Sequence, residues 1–292
     1  MHVDSEELEP LIALFDDRDT VVSELVDQRL ASYGPEVVRS LRNRAEREPD
    51  AARKALIVQR AQALNTEFRL ADFQDFVTRT PGPLSLFEGG WILSALFDWT
   101  LQRERYESMF YRCSQEYLNE SSDQRTGVEN IRILNHIFYH RLQFTLYDVQ
   151  LKESRYAFLS DALRTRNGNP FTLAFIYLMI CQLAGLPVEL LCFPGGFVPA
   201  YVEGGKILFY INLYRGGELF PQDRLDTFLK ATGLQIDKSA FRRRDESAMF
   251  TLYLESLLYV HAKKGNEAIN AIIERALNCL GPERFLSIDA PE

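Results

Sequence analysis

The fold is decided by the stretch Arg164–Phe220, which reads RTRNGNPFTLAFIYLMICQLAGLPVELLCFPGGFVPAYVEGGKILFYINLYRGGELF. Asn169 followed by Pro170 is a typical helix start, because asparagine caps the first turn and proline needs no N–H partner there. The apolar run that follows ends at a Gly-Leu-Pro sequence at residues 185–187, which is a typical helix stop. The stretch therefore predicts one long buried helix with strands after it.

Three short segments after this helix have the composition of β-strands, and a Glu-Gly-Gly sequence at residues 203–205 predicts a hairpin turn between the last two. The predicted strands are Val188–Phe193, Phe197–Val202 and Ile207–Leu213. Apolar periodicity elsewhere predicts helices at Ala55–Asn65, Leu86–Arg105, Tyr106–Leu118, Val128–His140, Asp223–Thr232, Asp245–Lys263 and Glu267–Leu280. We therefore predict an α+β protein that is mostly helical and has a small antiparallel sheet.

The N-terminal part of the chain carries a helical pattern of its own. Apolar residues in the range 8–60 fall at helical spacing, and turn signals at residues 16–17 and 34–35 separate them. This pattern resembles a HEAT-type repeat, in which paired helices stack and bury a shared face. One unit is clear and a second is less regular.

Composition and charge exclude several classes of partner. The chain has 292 residues, of which 46% are hydrophobic and 25% charged, as in ordinary globular proteins. Its net charge of −8 argues against nucleic acid and anionic membrane as partners, since both require a basic surface. The densest basic run, Arg242–Arg244, is interpreted as the solvated start of a helix rather than as a phosphate site.

Cysteine usage and the apolar segments indicate the compartment. Cys113, Cys181, Cys192 and Cys279 lie far apart without a CxxC pair, which is typical of buried free thiols in a reducing compartment. The acidic N-terminus does not resemble a secretory signal. The longest apolar run, Phe171–Leu191, is interrupted by polar and turn residues, which favours a buried helix over a membrane span. We expect a cytoplasmic protein.

Three positions decide whether the opening stretch carries catalysis. A Cys-His-Asp hydrolase with this layout places its cysteine at the helix start, where unpaired N–H groups lower the thiol pKa, and its histidine and carboxylate on the following strands. This chain has Thr172, Gly196 and Asn212 at those places. Threonine needs a nearby base, glycine supplies none, and an amide cannot hold a histidinium by charge. The sequence predicts the scaffold of an active site without its chemistry.

Other candidate groups give weaker signals. His136 and His140 stand one turn apart on a predicted helix, but no acidic or cysteine partner for a shared metal is evident nearby. We interpret them as core or boundary residues and predict no metal and no cofactor. Cys181 and Cys192 flank the predicted cleft within strongly apolar strings, which favours buried thiols over nucleophiles.

Taken together, these motifs resemble the SirB family, whose core is transglutaminase-like and distantly related to papain-type folds. An R-x-G-x-P motif followed by a small hydroxyl residue occupies residues 166–172, and GLP follows at 185–187. PG-x-F stands at 194–197, an Asn-x-aromatic strand end at 212–214, and GG-x-L at 216–219. The resemblance implies a transglutaminase-like core in this part of the chain.

The resemblance extends on both sides of these motifs, over about residues 84–282. The segment Leu134–Phe144 resembles the family's segment before the core, and the part after residue 245 resembles its closing helical hairpin, which is often tetratricopeptide-like. The predicted division is therefore a HEAT-like segment at 1–60, a SirB-type transglutaminase-like domain with a helical N-terminal half at 61–244, and a tetratricopeptide-like hairpin at 245–292.

The resemblance also implies a function. It makes Thr172, Gly196 and Asn212 the counterparts of the family's Cys, His and Asp places. Family members commonly lack the cysteine but keep the histidine and an Asp-Pro pair, whereas this chain lacks all three and has Leu213 in place of the proline. We expect a pseudoenzyme that acts as a scaffold or regulatory factor for an unidentified protein partner.

The alternative is an enzyme or a small-ligand binder that uses the same cleft. In the hydrolase or transferase version, Cys192 is a displaced nucleophile. In the ligand version, polar side chains contact the ligand and an arginine holds an anionic group. The candidate contacts are Thr172, Asn212, Tyr214, Arg166 and Arg215. A polar pocket favours ligand binding, whereas an aromatic plug favours a scaffold.

Overall fold

The computed structural model describes residues 5–120, 124–231, 240–245 and 247–286. The chain divides into two compact units, Met1–Asp72 and Phe73–Glu292. The predicted three-part division, with boundaries after residues 60 and 244, stays a prediction.

The first unit is helical, as the periodicity of residues 8–60 predicts. Its helices are α1 (Ser5–Ile12), α2 (Thr20–Ser32), α3 (Glu36–Glu46) and most of α4 (Ala51–Arg79). Asp19 caps α2 by accepting a hydrogen bond from the N–H of Val21. The predicted helix Ala55–Asn65 is too short, because no glycine or proline interrupts residues 51–79.

The second unit combines helices with the sheet. The helices are α5 (Leu86–Phe97), α6 (Arg103–Glu120), α7 (Gly127–Asn135), α8 (Leu159–Thr165), α9 (Pro170–Leu183), α10 (Leu225–Ala231), α11 (Ala248–Ala262) and α12 (Glu267–Cys279). A π-helix at His136–Arg141 continues α7, and a 3₁₀ turn at Gln222–Arg224 precedes α10. The predicted end of that helix, Thr232, lies outside the described residues.

One predicted helix is wrong in extent. The sequence predicts a helix over Leu86–Arg105, but α5 ends at Phe97 and α6 begins at Arg103. Asp98 leaves the helical conformation, with φ −129° and ψ 85°. Its carboxylate accepts hydrogen bonds from the backbone N–H and the hydroxyl of Thr100. This local turn competes with continuation of the helix.

The described residues include a five-stranded antiparallel sheet of β3 (Val188–Phe193), β4 (Gly196–Glu203), β5 (Lys206–Asn212), β6 (Glu218–Phe220) and β7 (Arg242–Arg244). The order of the strands in this sheet is β6-β5-β4-β3-β7. A short parallel pair joins β1 (Thr145–Leu146) to β2 (Asn167–Gly168). The three predicted strands and the predicted mostly helical α+β class are confirmed.

The basic run Arg242–Arg244 is a strand, so its interpretation as a helix start is wrong. It forms the edge strand beside β3, where its backbone pairs with residues 190–192. Arg243 binds the carboxylate of Glu189 on β3 through Nε and Nη2, both at 2.8 Å, and Arg244 pairs with Glu283. Charged side chains on an edge strand also discourage further strand pairing.

Helix α9 forms the centre of the second unit. Every residue from Pro170 to Cys181 is buried, which is why the sequence is apolar on all sides of this helix. Phe175 packs edge-on against Phe250 and Tyr253 of α11, with ring centroids 5.3 Å apart in both pairs. None of the described helices combines the length and hydrophobicity needed to cross a membrane.

Candidate functional site

A cavity of about 920 Å³ lies where β4 begins and β5 ends. Much of its wall is aromatic, and the remainder includes polar and charged side chains. The aromatic residues are Phe171, Phe193, Phe197, Tyr214, Phe220, Phe228 and Tyr259. The polar and charged residues are Gln150, Asn212, Arg215, Glu218, Arg224 and Thr227. Aromatic side chains therefore line the cavity without filling it. Its polar residues are those expected of a ligand pocket, and its aromatic residues are those expected of a plug.

The structure brings together part of the predicted site. Gly196, Asn212, Tyr214 and Arg215 all line this cavity. Gly196 is the first residue of β4, Asn212 is the last of β5, and the other two follow in the 3₁₀ turn after β5. Thr172 and Arg166 belong to the predicted site as well, but neither lines the cavity.

Thr172 lies beside the cavity but is enclosed by protein. It is completely buried in the first turn of α9, and its hydroxyl donates a 2.6 Å hydrogen bond to the carbonyl oxygen of Ala157. Its backbone N–H donates to the side chain of the cap residue Asn169 at 2.9 Å. The hydroxyl proton is therefore used in a structural hydrogen bond that connects the start of α9 to Ala157.

Arg166 lies elsewhere in the second unit. It ends α8 with a left-handed backbone, φ +64°, and its guanidinium lies 5.1 Å from the ring centroid of Phe144. It lines a second cavity, together with side chains from α6 and α8.

The two other triad positions have structural roles. A Cβ on Gly196 would stand 3.1 Å from the ring of Phe193, so an aromatic side chain already occupies the space beside this position. Asn212 is 9% exposed, and its side-chain oxygen accepts a 3.1 Å hydrogen bond from the N–H of Tyr214. This bond caps the turn that follows β5.

In the described part of the chain, thiol groups lie away from the cavity. Of the residues that the structure describes, no cysteine or histidine is in the cavity wall. Cys192 on β3 is 1% exposed, and burial raises the pKa of its thiol to about 12. A thiol with this pKa is almost wholly protonated at neutral pH, and the thiolate is the reactive form. The placement of Cys192 therefore does not support a displaced nucleophile.

The histidines lie in unrelated places. His136 and His140 are exposed on the π-helix with ring centroids 5.4 Å apart, and the described residues contain no cluster of three or more potential metal ligands. His261 on α11 is buried against Phe158, and within the described part of the chain neither ring nitrogen has a hydrogen-bond partner. Burial therefore lowers the pKa of His261.

Two exposed arginines give the cavity its positive charge. Arg215 and Arg224 line it, and neither guanidinium has a hydrogen-bond or ion-pair partner in the described part of the chain. Glu218 is the acidic residue among the lining side chains. The cavity therefore offers aromatic surface next to unpaired positive charge.

Sequence reasoning missed the segment after α12, which forms part of the cavity. Leu286 lines the wall, and the N–H of Gly195 donates a 2.8 Å hydrogen bond to the carbonyl oxygen of Phe285. The completely buried Glu255 of α11 accepts the N–H of Phe285 at 3.1 Å and that of Leu286 at 2.9 Å.

Glu255 is a buried carboxyl group in an apolar helix. Burial raises its pKa, while the two backbone N–H donors oppose that shift because they favour the charged form. The sequence signal was a lone glutamate within the apolar run of α11. Buried carboxyl groups need hydrogen-bond partners, but the sequence does not say which segment supplies them.

Comparison with known proteins gives the family. No match was found among curated proteins. A family model described as the transglutaminase-like superfamily matches residues 104–251, which is just over half of the chain. The match contains α6 to α9, the sheet, and the positions of Thr172, Gly196 and Asn212. This chain therefore belongs to the transglutaminase-like superfamily.

Proposed function

We propose that this chain is a non-catalytic transglutaminase-like protein, a pseudoenzyme, whose cavity binds an extended segment of a protein partner. The proposal rests on the hydrogen bonds by which Gly195 and Glu255 bind the chain's own residues 285–286 at the cavity wall. A cavity that binds backbone N–H and C=O groups in this way is suited to peptide main chain. The protein would act as a scaffold or regulatory factor.

The first support is the use of the triad positions. The hydroxyl of Thr172 is bonded to the Ala157 carbonyl, the Phe193 ring occupies the space beside Gly196, and the Asn212 oxygen caps a turn. Each group thus has a structural partner in place of a catalytic one. A nucleophile without a neighbouring base or a lowered pKa has little reactivity.

The second support is the chemistry of peptide recognition. Main-chain hydrogen bonds give affinity for an extended peptide, and pockets for alternate side chains give specificity. Gly195 in the cavity wall already binds main chain, through its N–H bond to the carbonyl oxygen of Phe285, and the aromatic wall offers apolar surface. Aromatic side chains are common anchors in protein-binding sites.

The charge of the cavity indicates the partner's composition. Arg215 and Arg224 are unpaired within the described residues, so a partner segment with an acidic residue would gain charge complementarity. The partner segment is therefore expected to carry an apolar or aromatic side chain close to a carboxylate.

Several finer assignments belong to the same proposal. The motifs at 166–172, 194–197 and 216–219 favour the SirB branch of the superfamily. Residues 1–60 are proposed as HEAT-like and 245–292 as tetratricopeptide-like, and helical repeats of both kinds usually present protein-binding surfaces. We place the protein in the cytoplasm on its cysteine usage.

The competing hypothesis is a hydrolase or transferase, or a small-ligand binder, in the same cavity. The enzyme version needs a reactive thiol, and Cys192 is the notable candidate. Iodoacetamide labelling at neutral pH distinguishes the enzyme hypothesis from the proposal. If the protein is non-catalytic, Cys192 should react far more slowly than free cysteine, because its thiol is buried and protonated.

The proposal is tested by selecting peptides from a displayed random library on the full chain. The expected binders share an apolar residue near an acidic one, and their affinity falls at least about tenfold in the Arg215→Glu, Arg224→Glu double variant. Arg39→Glu is the matched control, since Arg39 is an exposed arginine of the first unit. Absence of enriched peptides, or equal binding to the double variant, would count against the proposal.

A further inference from the structure

A second cavity, of about 910 Å³, lies in the second unit away from the aromatic one. Its wall is formed mainly by α6, α8, the last residue of the π-helix and the two residues after it. Among the described residues, its charged lining consists of five arginines and a single carboxylate, that of Glu116. The arginines are Arg105, Arg112, Arg141, Arg164 and Arg166. We call this cavity the arginine basin.

We infer that the arginine basin binds a small molecule carrying two or more phosphate groups close together. A guanidinium is planar, stays charged, and binds phosphate oxygens through two parallel N–H donors. Several guanidinium groups around one recess match a ligand with several anionic oxygens, rather than a single carboxylate. The site is separate from the cavity of the proposed function.

Ion pairs hold three of the arginines in place. Arg112 contacts Glu116 at 3.2 Å, and Arg141 pairs with Glu120. Arg164 contacts Asp98 at 3.3 Å and Asp161 at 3.1 Å through a single nitrogen, Nη2. Each guanidinium has five N–H donors, so these contacts leave donors over for a ligand. Side chains already held by their neighbours lose less conformational entropy on binding.

The acidic partners of these arginines lie mostly outside the basin wall. Glu120, Asp98 and Asp161 are not lining residues, so they orient the guanidinium groups from behind. Glu116 lines the basin, and Arg141 stands 3.7 Å from its Oε2, which is beyond hydrogen-bond distance. The surface that faces the recess is therefore dominated by positive charge.

Two lining side chains are left without a partner. Arg105 on α6 is exposed, and its guanidinium has no hydrogen-bond or ion-pair partner within the described chain. Ser160 on α8 is only 5% exposed, and its hydroxyl has no hydrogen-bond partner in the same described ranges. The Ser160 oxygen is not among the buried unpaired side-chain atoms, so its hydroxyl is accessible from the recess and can donate a hydrogen bond to a ligand.

The backbone of Arg166 adds a further indication. This residue ends α8 in the left-handed region, where glycine is usual and other residues are strained. Gln143, which precedes β1 as Arg166 precedes β2, is also left-handed, with φ +59°. Both residues line the basin. Strain of this kind clusters at binding sites, where the side chain is needed despite its cost.

The test is a calorimetric titration of the full chain with inorganic pyrophosphate at low ionic strength. We expect saturable binding that weakens at least about tenfold in Arg105→Ala and in Ser160→Ala, since each loses a hydrogen bond to a charged ligand. Arg39→Ala, which removes an exposed arginine of the first unit, should bind as the unaltered chain does.

The inference is overturned if pyrophosphate does not bind saturably. It is equally overturned if Arg39→Ala weakens binding as much as Arg105→Ala, because the effect is then general screening of charge. Because Arg105 is exposed, its substitution leaves the fold intact even if Ser160→Ala disturbs packing. Unchanged affinity in Arg105→Ala would place any observed binding elsewhere.

Discussion

The backbone N–H of Gly195 donates a 2.8 Å hydrogen bond to the carbonyl oxygen of Phe285, a residue far along the chain from the sheet. Gly195 has φ +92°, a conformation that favours glycine. It lies two residues after Phe193, the last residue of β3. The turn between β3 and β4 is therefore shaped to present a main-chain donor. In this structure the donor binds the chain's own C-terminal segment.

Weakening the other anchor of this segment should free it. In Glu255→Gln the negative charge that accepts the N–H groups of Phe285 and Leu286 is lost. Hydrogen bonds to charged groups contribute about 1.5–3 kcal/mol, so trypsin cleavage after Arg284 should accelerate about tenfold or more. Mass spectrometry of the released peptide measures the rate. Glu274→Gln, an exposed glutamate of α12, is the control, and equal rates in the two variants would refute the anchoring role.

Thr172 should matter for stability and not for binding. Thr172→Val removes the 2.6 Å hydrogen bond to the Ala157 carbonyl and leaves that buried acceptor unpaired. We expect a loss of about 1–3 kcal/mol in the free energy of unfolding, measured by urea denaturation. Thr172→Ser keeps the hydroxyl and should lose less. Affinity for selected peptides should be unchanged in both variants, and a clear loss in Thr172→Val that Thr172→Ser does not share would reveal a functional hydroxyl.

The two glycines after β5 should respond differently to alanine. A Cβ on Gly217 would overlap the side-chain amide of Asn135, which donates to the Gly217 carbonyl at 2.7 Å and accepts from the hydroxyl of Tyr177 at 2.8 Å. Gly217→Ala should therefore cost about 2–4 kcal/mol of stability. A Cβ on Gly216 meets open space, so Gly216→Ala should cost only about 1–2 kcal/mol, from its φ of +62°.

Thermal or urea unfolding of both alanine variants measures this difference. If Gly216→Ala is as damaging as Gly217→Ala, backbone strain is the whole effect. The bond network of Asn135 then contributes nothing at this corner.

His261 should make stability depend on pH. Burial, aided by Lys264, lowers its pKa in the folded chain, so the unfolded chain takes up a proton first as the pH falls. Its contribution is fully present above the unfolded pKa of about 6.5 and is lost as the pH falls toward the folded pKa. His261→Phe should flatten the decline in melting temperature between pH 7.5 and 5.

His140→Gln serves as the control for that series, because His140 is exposed. It should retain the decline seen in the unaltered chain. A decline that persists in His261→Phe would assign the effect to other groups.

Features set by neighbouring residues could be predicted from the sequence. The Asn169 cap, the stop at residues 185–187 and the strands of the hairpin depend on capping, turn chemistry and local apolar pattern. These signals also brought Gly196, Asn212, Tyr214 and Arg215 to one end of the sheet, where the cavity lies.

Features set by distant residues could not be predicted. Strand β7 pairs with β3, where Arg243 binds Glu189, and residues 285–286 are held by Glu255 and Gly195. Thr172 is withdrawn from the cavity by its bond to Ala157. Each of these contacts depends on the path of the whole chain, which residue types and local spacing do not specify.

The central claim, a transglutaminase-like fold without the chemistry, is tested most directly by incubating the full chain with a glutamine-containing donor peptide and a fluorescent primary amine. Intact mass spectrometry then follows the protein and the peptide. We expect both masses to stay unchanged and no amine to be incorporated. An acyl adduct on a cysteine, or amine incorporation that disappears in Cys192→Ala, would contradict it.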